Sequence, residues 1–255
     1  MARFKVGIQL HPQHCPVDDL RAAWERADEL GVDSIFTWDH MYPLYGDPDG
    51  PHYEGWSLLA AMAVTTKNAR FGALVSCNSY RNPEFLAYMA GTLDQLSGGR
   101  AILGIGSGWF ERDYEEYGYE FGDAPWRLKQ LGEALPRIEA RLKKLKPAPI
   151  GPLPILIGGS GEKVTLKLVA KHAQMWNSFR PPSHFAEKNK VLDQWCEKLG
   201  RDPKEIERTC AINAADVERG VDAYLEAGAE HLILMAGAPF DEPLEQVERL
   251  LEMSR

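Results

Sequence analysis

The sequence has no CxxC pair; its cysteines, Cys15, Cys77, Cys196 and Cys210, lie far apart along the chain. At that spacing, in a chain without a secretory leader, they read as reduced structural thiols and not as a disulfide framework. Long apolar runs are absent as well. None approaches the roughly 18 residues needed to span a bilayer, so no membrane segment is expected. The N-terminus, Met1-Ala2-Arg3-Phe4-Lys5-Val6, enters a strand-like pattern at once and leaves no room for a signal peptide, which makes a cytoplasmic location the expectation. Positive charge is in deficit: the formal net charge of −8 argues against nucleic acid or anionic lipid as a partner. A local nest of backbone N–H groups still suffices for a small anionic ligand. There is no low-complexity linker, no repeat beyond a strand–helix unit, and no G-x-S-x-G elbow. The His11-x-x-His14 pair with Cys15 has no obviously placed third carboxylate, so no metal is expected.

What is present is an ordinary globular composition, 44% apolar and 26% charged, over 255 residues. Short β-rich segments alternate with amphipathic helical ones. Phe4–Leu10 is a first strand, and Asp18 or Asp19 then caps a helix whose apolar positions Leu20, Ala23, Trp24, Ala27 and Leu30 recur at helical spacing. Gly31 ends that helix. Further strands are expected at 33–38, 70–76, 100–105, 154–157, 174–177, 208–212 and 231–235, with a helix from Glu84 to Leu96 between the third and the fourth. Eight strands with helical connections favour a closed parallel (β/α)8 TIM barrel, an α/β fold, as one domain over residues 1–255. Two stretches break the rhythm: 41–56, aromatic and proline-rich, and 106–126. Both follow a strand's C-terminal end, where barrels place their chemistry.

Candidate chemistry collects at those ends. Gly158-Gly159-Ser160-Gly161-Glu162-Lys163 joins a strand to a helix, and its glycines and free N–H groups suit a phosphate better than a plain turn requires. His40 is a candidate general acid or base, with Asp39 beside it as the orienting group. Gly106-Ser107-Gly108-Trp109 repeats the glycine pattern; there Trp109 either stacks on a planar ligand or pins the loop. The aromatic residues Trp38, Tyr42, Tyr45, Trp56 and Trp109 suggest a weakly polar substrate.

Taken in order, Glu29–Phe36, Trp38-Asp39-His40, Tyr80-Arg81-Asn82-Pro83, Leu93–Arg100, Gly106–Trp109 and Ile155–Lys163 resemble the bacterial luciferase-like monooxygenase superfamily, over nearly the whole chain. The likeness is to the branch that uses the deazaflavin coenzyme F420. It implies a barrel with shortened insertions whose cofactor ring lies over the C-terminal ends of the strands, near Asp39 and His40. It implies a non-proline cis peptide within Leu74-Val75-Ser76 as the backstop of the ring, with Asn78 nearby and phosphate contacts at Gly158–Lys163. It implies hydride transfer to or from a small organic substrate, with a monooxygenase using flavin mononucleotide, or a non-catalytic flavin-binding protein, as alternatives. Sugar-phosphate dehydrogenases of that branch carry a glutamate where this chain has Trp109, so Glu111 is the candidate acid here. A homodimer is the family's habit, and the apolar run Phe85-Leu86-Ala87-Tyr88-Met89 fits one.

Overall fold

A computed structural model describes residues 2–179 and 181–255. The first half of the chain runs β1 (Lys5–Leu10), α1 (Val17–Leu30), β2 (Ser34–Thr37), α2 (Gly55–Thr65), β3 (Arg70–Ala73), β4 (Ser76–Cys77), α3 (Pro83–Ser97), β5 (Ala101–Gly106), α4 (Glu111–Tyr117) and α5 (Ala124–Leu142). The second half runs β6 (Ile155–Gly158), α6 (Thr165–His172), β7 (Met175–Ser178), α7 (Pro182–Leu199), β8 (Glu207–Ile212), α8 (Ala214–Arg219), α9 (Asp222–Glu226), β9 (His231–Ala236) and α10 (Asp241–Ser254). All pairings between these strands are parallel, in the order β3-β2-β1-β9-β8-β7-β6-β5, and β3 pairs back onto β5 through Phe71↔Ala101 and Gly72↔Ile102. The sheet is therefore closed: the fold is a (β/α)8 barrel.

One stave comes in two pieces. The residue pattern alone suggests an unbroken strand over 70–76, whereas the family resemblance places a non-proline cis peptide within Leu74-Val75-Ser76; the chain does leave the ladder at Leu74-Val75, whose peptide bond is cis, and rejoins it as β4. There Ser76 pairs with Ile105 and Cys77 with Gly106. Glycine makes the neighbouring close approach possible: a Cβ on Gly104 would fall 1.9 Å from the carbonyl oxygen of Ala73.

The barrel interior is filled by Phe36, Leu74, Ile102, Leu156, Met175 and Ile233, side chains that alternate inward along their strands. Outside it, Trp24, Leu59, Met62, Trp176, Phe185 and Leu250 belong to the layer between strands and helices. Each such side chain contributes about 1.5–3 kcal/mol by leaving water. The helix α1 closes on Gly31 in the left-handed conformation (φ 87°), as expected. Its start differs: it begins directly after Pro16 with no side-chain cap, and Asp18 and Asp19 lie in the first turn, where they complement the helix dipole. The stretch 106–126 is likewise not all loop, since α4 sits inside it. Among the described residues no helix is long and apolar enough to cross a membrane.

Candidate active site

At the C-terminal end of β2 the chain runs through Trp38-Asp39-His40, and the two ionisable groups part company. Asp39 is buried, 3% exposed, and takes a bidentate ion pair from Arg81: Nη1 to Oδ2 at 2.6 Å and Nη2 to Oδ1 at 3.0 Å. The backbone N–H of Cys77 also donates to Oδ2, at 3.2 Å. Arg81 reaches on to Glu54 Oε1 at 2.9 Å, and Glu54 caps the first turn of α2 through the N–H groups of Trp56 and Ser57. Burial pushes the Asp39 carboxyl up, and the guanidinium of Arg81 opposes that shift. The pairing of Asp39 with His40 suggested by their adjacency is therefore not what the fold builds. The planar fork of Arg81, delivered by the segment after β4, captures both carboxylate oxygens.

His40 finds its partner elsewhere. Its Nδ1 lies 2.8 Å from Oδ2 of Asp113, a fully buried carboxylate in the first turn of α4. Asp113 also accepts from the Tyr80 hydroxyl at 2.8 Å and from the Met41 N–H at 3.1 Å. Burial pushes the Tyr80 phenol far above its usual range, which keeps it a donor. A carboxylate accepting at Nδ1 fixes the proton there and leaves Nε2 as the free nitrogen of His40. Trp38, Trp109 and Phe110 each stand edge-on to the imidazole, with centroids 6.1, 5.7 and 5.6 Å away. Sequence reasoning missed Asp113 and chose Glu111, which the structure leaves exposed at the start of α4. Residues two apart on a helix face nearly opposite ways, so only one of the pair turns inward.

The glycines of β5 and β6 meet the broken stave. The Val75 methyls pack over Gly106 and Gly158, where added Cβ atoms would fall 2.8 Å and 3.0 Å from them. Gln9 reaches through the barrel and donates from Nε2 to the Leu74 carbonyl at 2.6 Å, holding the break in place. Ser76 Oγ accepts from Trp56 Nε1 at 3.1 Å. Asn78 is 8% exposed and its Oδ1 is buried without a hydrogen-bond partner. The segment Gly106–Trp109 is held by its backbone: Arg127 Nε donates to the Gly108 carbonyl at 3.1 Å, and Gly108 (φ 81°) lies against Tyr114 and Cys77. Trp109 itself is 63% exposed, so it does not pin this loop.

Beyond Gly158 the turn is open. Gly159 (φ 116°) donates its N–H to Asn177 O at 3.0 Å, and Trp176 Nε1 donates to Gly159 O at 2.7 Å. Gly161, Glu162 and Lys163 are exposed before α6 begins at Thr165. The dipole of α6 and the ammonium of Lys163 both favour an anion there. Glu162 stands apart from the set expected from sequence. Its carboxylate is paired with Lys188 of α7 and its carbonyl accepts from Trp195 Nε1 at 2.8 Å, so it braces the turn from behind. Val75 thus links the two ends of the site, packing over the β5 glycine Gly106 on one side and Gly158, which opens the turn after β6, on the other.

A family model for luciferase-like monooxygenases matches residues 1–250. The chain belongs to that family. Among relatives of this luciferase-like protein, an F420-dependent glucose-6-phosphate dehydrogenase from Amycolatopsis mediterranei is 27% identical over 94% of this chain and 74% of its own length. A second, from Microbacterium testaceum, is 29% identical over 74% of this chain and 61% of its own. The solved structures agree in fold. An F420-dependent secondary alcohol dehydrogenase in complex with an F420-acetone adduct superposes with a TM-score of 0.86 at 17% identity, covering 99% of both chains. The oxygenating constituent of 3,6-diketocamphane monooxygenase from Pseudomonas putida, in complex with FMN, superposes at 0.76 and 17%, covering 100% of this chain and 98% of the other.

Proposed function

We propose that this luciferase-like protein is an oxidoreductase that transfers a hydride between coenzyme F420 and a small, weakly polar organic substrate. The observation that carries the reading is the His40–Asp113 pair, whose free Nε2 stands at the same end of the barrel as the glycine-lined cradle around Val75. The cradle suits a planar ring: Gly106 and Gly158 present no side chains, and Asn78 Oδ1 is a buried acceptor in want of a donor. The turn Gly158–Lys163, Glu162 aside, suits a phosphate. When bound, the deazaflavin supplies the carbon that takes or gives the hydride, a chemistry that belongs to the cofactor.

The protein's share is orientation and proton handling. His40 Nε2 gives or takes the proton at the substrate oxygen, and Asp113 holds the ring in the tautomer that allows it. Asp39, locked to Arg81, shapes the wall beside the ring. The aromatic side chains of Trp38 and Phe110, with exposed Trp109 at the edge, favour a substrate without charge. The F420-dependent relatives support the deazaflavin; the FMN-bound structural neighbour supports a flavin monooxygenase as the second reading. The same proposal takes the chain as one cytoplasmic domain that pairs as a homodimer through the exposed Val64, Phe85 and Tyr88 of α2 and α3.

Titration of the purified protein with F420 and with FMN, followed by cofactor fluorescence, decides between the two. Saturable F420 binding with reduction by a secondary alcohol or oxidation by an enone is the expected result. FMN binding with none for F420 overturns it.

A further inference from the structure

The opposite end of the barrel has a cavity that hydride transfer does not use. It measures about 290 Å³. Its wall is formed by Lys5, Ser34, Arg70, Glu207 and His231, all at the starts of their strands. Ile102 and Met175 from the barrel interior form its apolar floor, and exposed Asn68 lies at the rim.

The charges in this wall are not all paired by contact. Glu207 is already shared: His231 Nδ1 lies 2.7 Å from its Oε1 and Lys5 Nζ 2.5 Å from its Oε2. Asp33 is turned to the Val6 N–H, which donates to its Oδ2 at 2.8 Å. Arg70 is left over. Its guanidinium is half-buried, makes no ion pair among the described residues, and has Nη2 shut off from solvent with no acceptor. A cation taken from water without a partner is costly, and a guanidinium is the side chain best shaped to meet two oxygens of a planar or tetrahedral anion.

Ser34 and His231 invite a different reading, because Ser34 Oγ lies 2.9 Å from His231 Nε2 and the acid follows at Nδ1, the order of a nucleophilic triad. Ser34 is 1% exposed, however, and its Oγ occupies the space directly over Gly7, which leaves a carbonyl no line of approach. The relay therefore engages both Glu207 oxygens, so Glu207 and Asp94 act on Arg70 through space and not by a hydrogen bond.

We propose that this basal cavity is a binding site for a small oxyanion, a carboxylate or a phosphate, whose oxygens pair with Arg70 and whose remainder faces Ile102 and Met175. The site is independent of the cofactor site and of the activity proposed for it.

Calorimetric titration with inorganic phosphate and with acetate, at constant ionic strength, tests this. Because the Gly158–Lys163 turn also suits phosphate, the wild type is compared with both Arg70→Gln and Lys163→Gln. The expected result is a binding event that Arg70→Gln weakens roughly tenfold or more and Lys163→Gln leaves unchanged. Tighter phosphate than acetate assigns the site to phosphate, and the reverse order to a carboxylate. Should Arg70→Gln fold poorly, Asn68→Trp at the exposed rim blocks the mouth and must give the same loss. Isotherms of Arg70→Gln or Asn68→Trp that superimpose on the wild type, or no binding of either anion, overturn the proposal.

Discussion

At the scale of single residues the site turns on which carboxylate faces which cation. Asp39 and His40 are neighbours in the chain, yet one is consumed by Arg81 and the other is oriented by Asp113, 73 positions away. His40→Ala is expected to lower turnover by about 10²–10⁴-fold while F420 affinity stays near that of the wild type. Asp113→Asn is expected to lower turnover about 10²-fold with the fold intact. Steady-state rates of the two variants, together with cofactor titrations, check both; wild-type turnover in Asp113→Asn would remove Asp113 from the positioning role. The candidacy of His40 was legible from its place at a strand's end. Its partner was not, because a helix periodicity tells which positions turn inward only once the neighbouring surface is known.

At the scale of elements, the stave of β3 and β4 does more than complete the barrel. The break puts Val75 against two glycines that belong to different strands, β5 and β6. Gly106→Ala would bring a Cβ to 2.8 Å from Val75 Cγ2, closer than such atoms settle, so Val75 must shift into the cradle. The expected result is F420 binding weakened about tenfold and a loss of about 1–3 kcal/mol in stability, read by cofactor titration and thermal melting. Wild-type affinity in that variant would show that the cradle is not where the ring lies. In sequence, 70–76 reads as one strand since its interior, Phe71 to Val75, is apolar and carries no proline; the pattern does not mark the break, and only the family resemblance placed a cis peptide there. The glycines at 104, 106 and 158 were visible, but what they make room for was not.

At the scale of the whole molecule, the two ends of the barrel give it two acid transitions. Burial lowers His11 and His52 to about 4, with the charge of His40 adding to the effect on His52. Their unfolded value is about 6.5, so the unfolded chain takes up protons first and stability falls as pH drops from about 6.5 to 4. Burial pushes Glu207 up, but hydrogen bonds and charge from His231 and Lys5 pull it down further, to about 2. Its stabilisation is present above the unfolded value of about 4.3 and is lost as pH falls from there toward 2. Melting temperatures measured from pH 8 to 2 should show both declines. Glu207→Gln should be less stable at pH 7 by about 1–3 kcal/mol and should show a smaller lower decline, the part set by Asp28 and Glu54 remaining. A wild-type profile flat between pH 6.5 and 4 would contradict the histidine assignment.

The sequence by itself determined the alternation of strand and helix, the closed barrel, the glycine turn after β6 and the candidacy of His40. These depend on periodicity, turn chemistry and position along a strand, which are local properties. Only the tertiary structure decided that Arg81 claims Asp39, that Asp113 and not Asp39 pairs with His40, that Glu162 pairs with Lys188 of α7, and that Arg70 makes no contact ion pair among the described residues. Each of those outcomes is a competition among charged groups far apart in the chain. The winner is set by distance and burial after the barrel closes, and no local pattern encodes either.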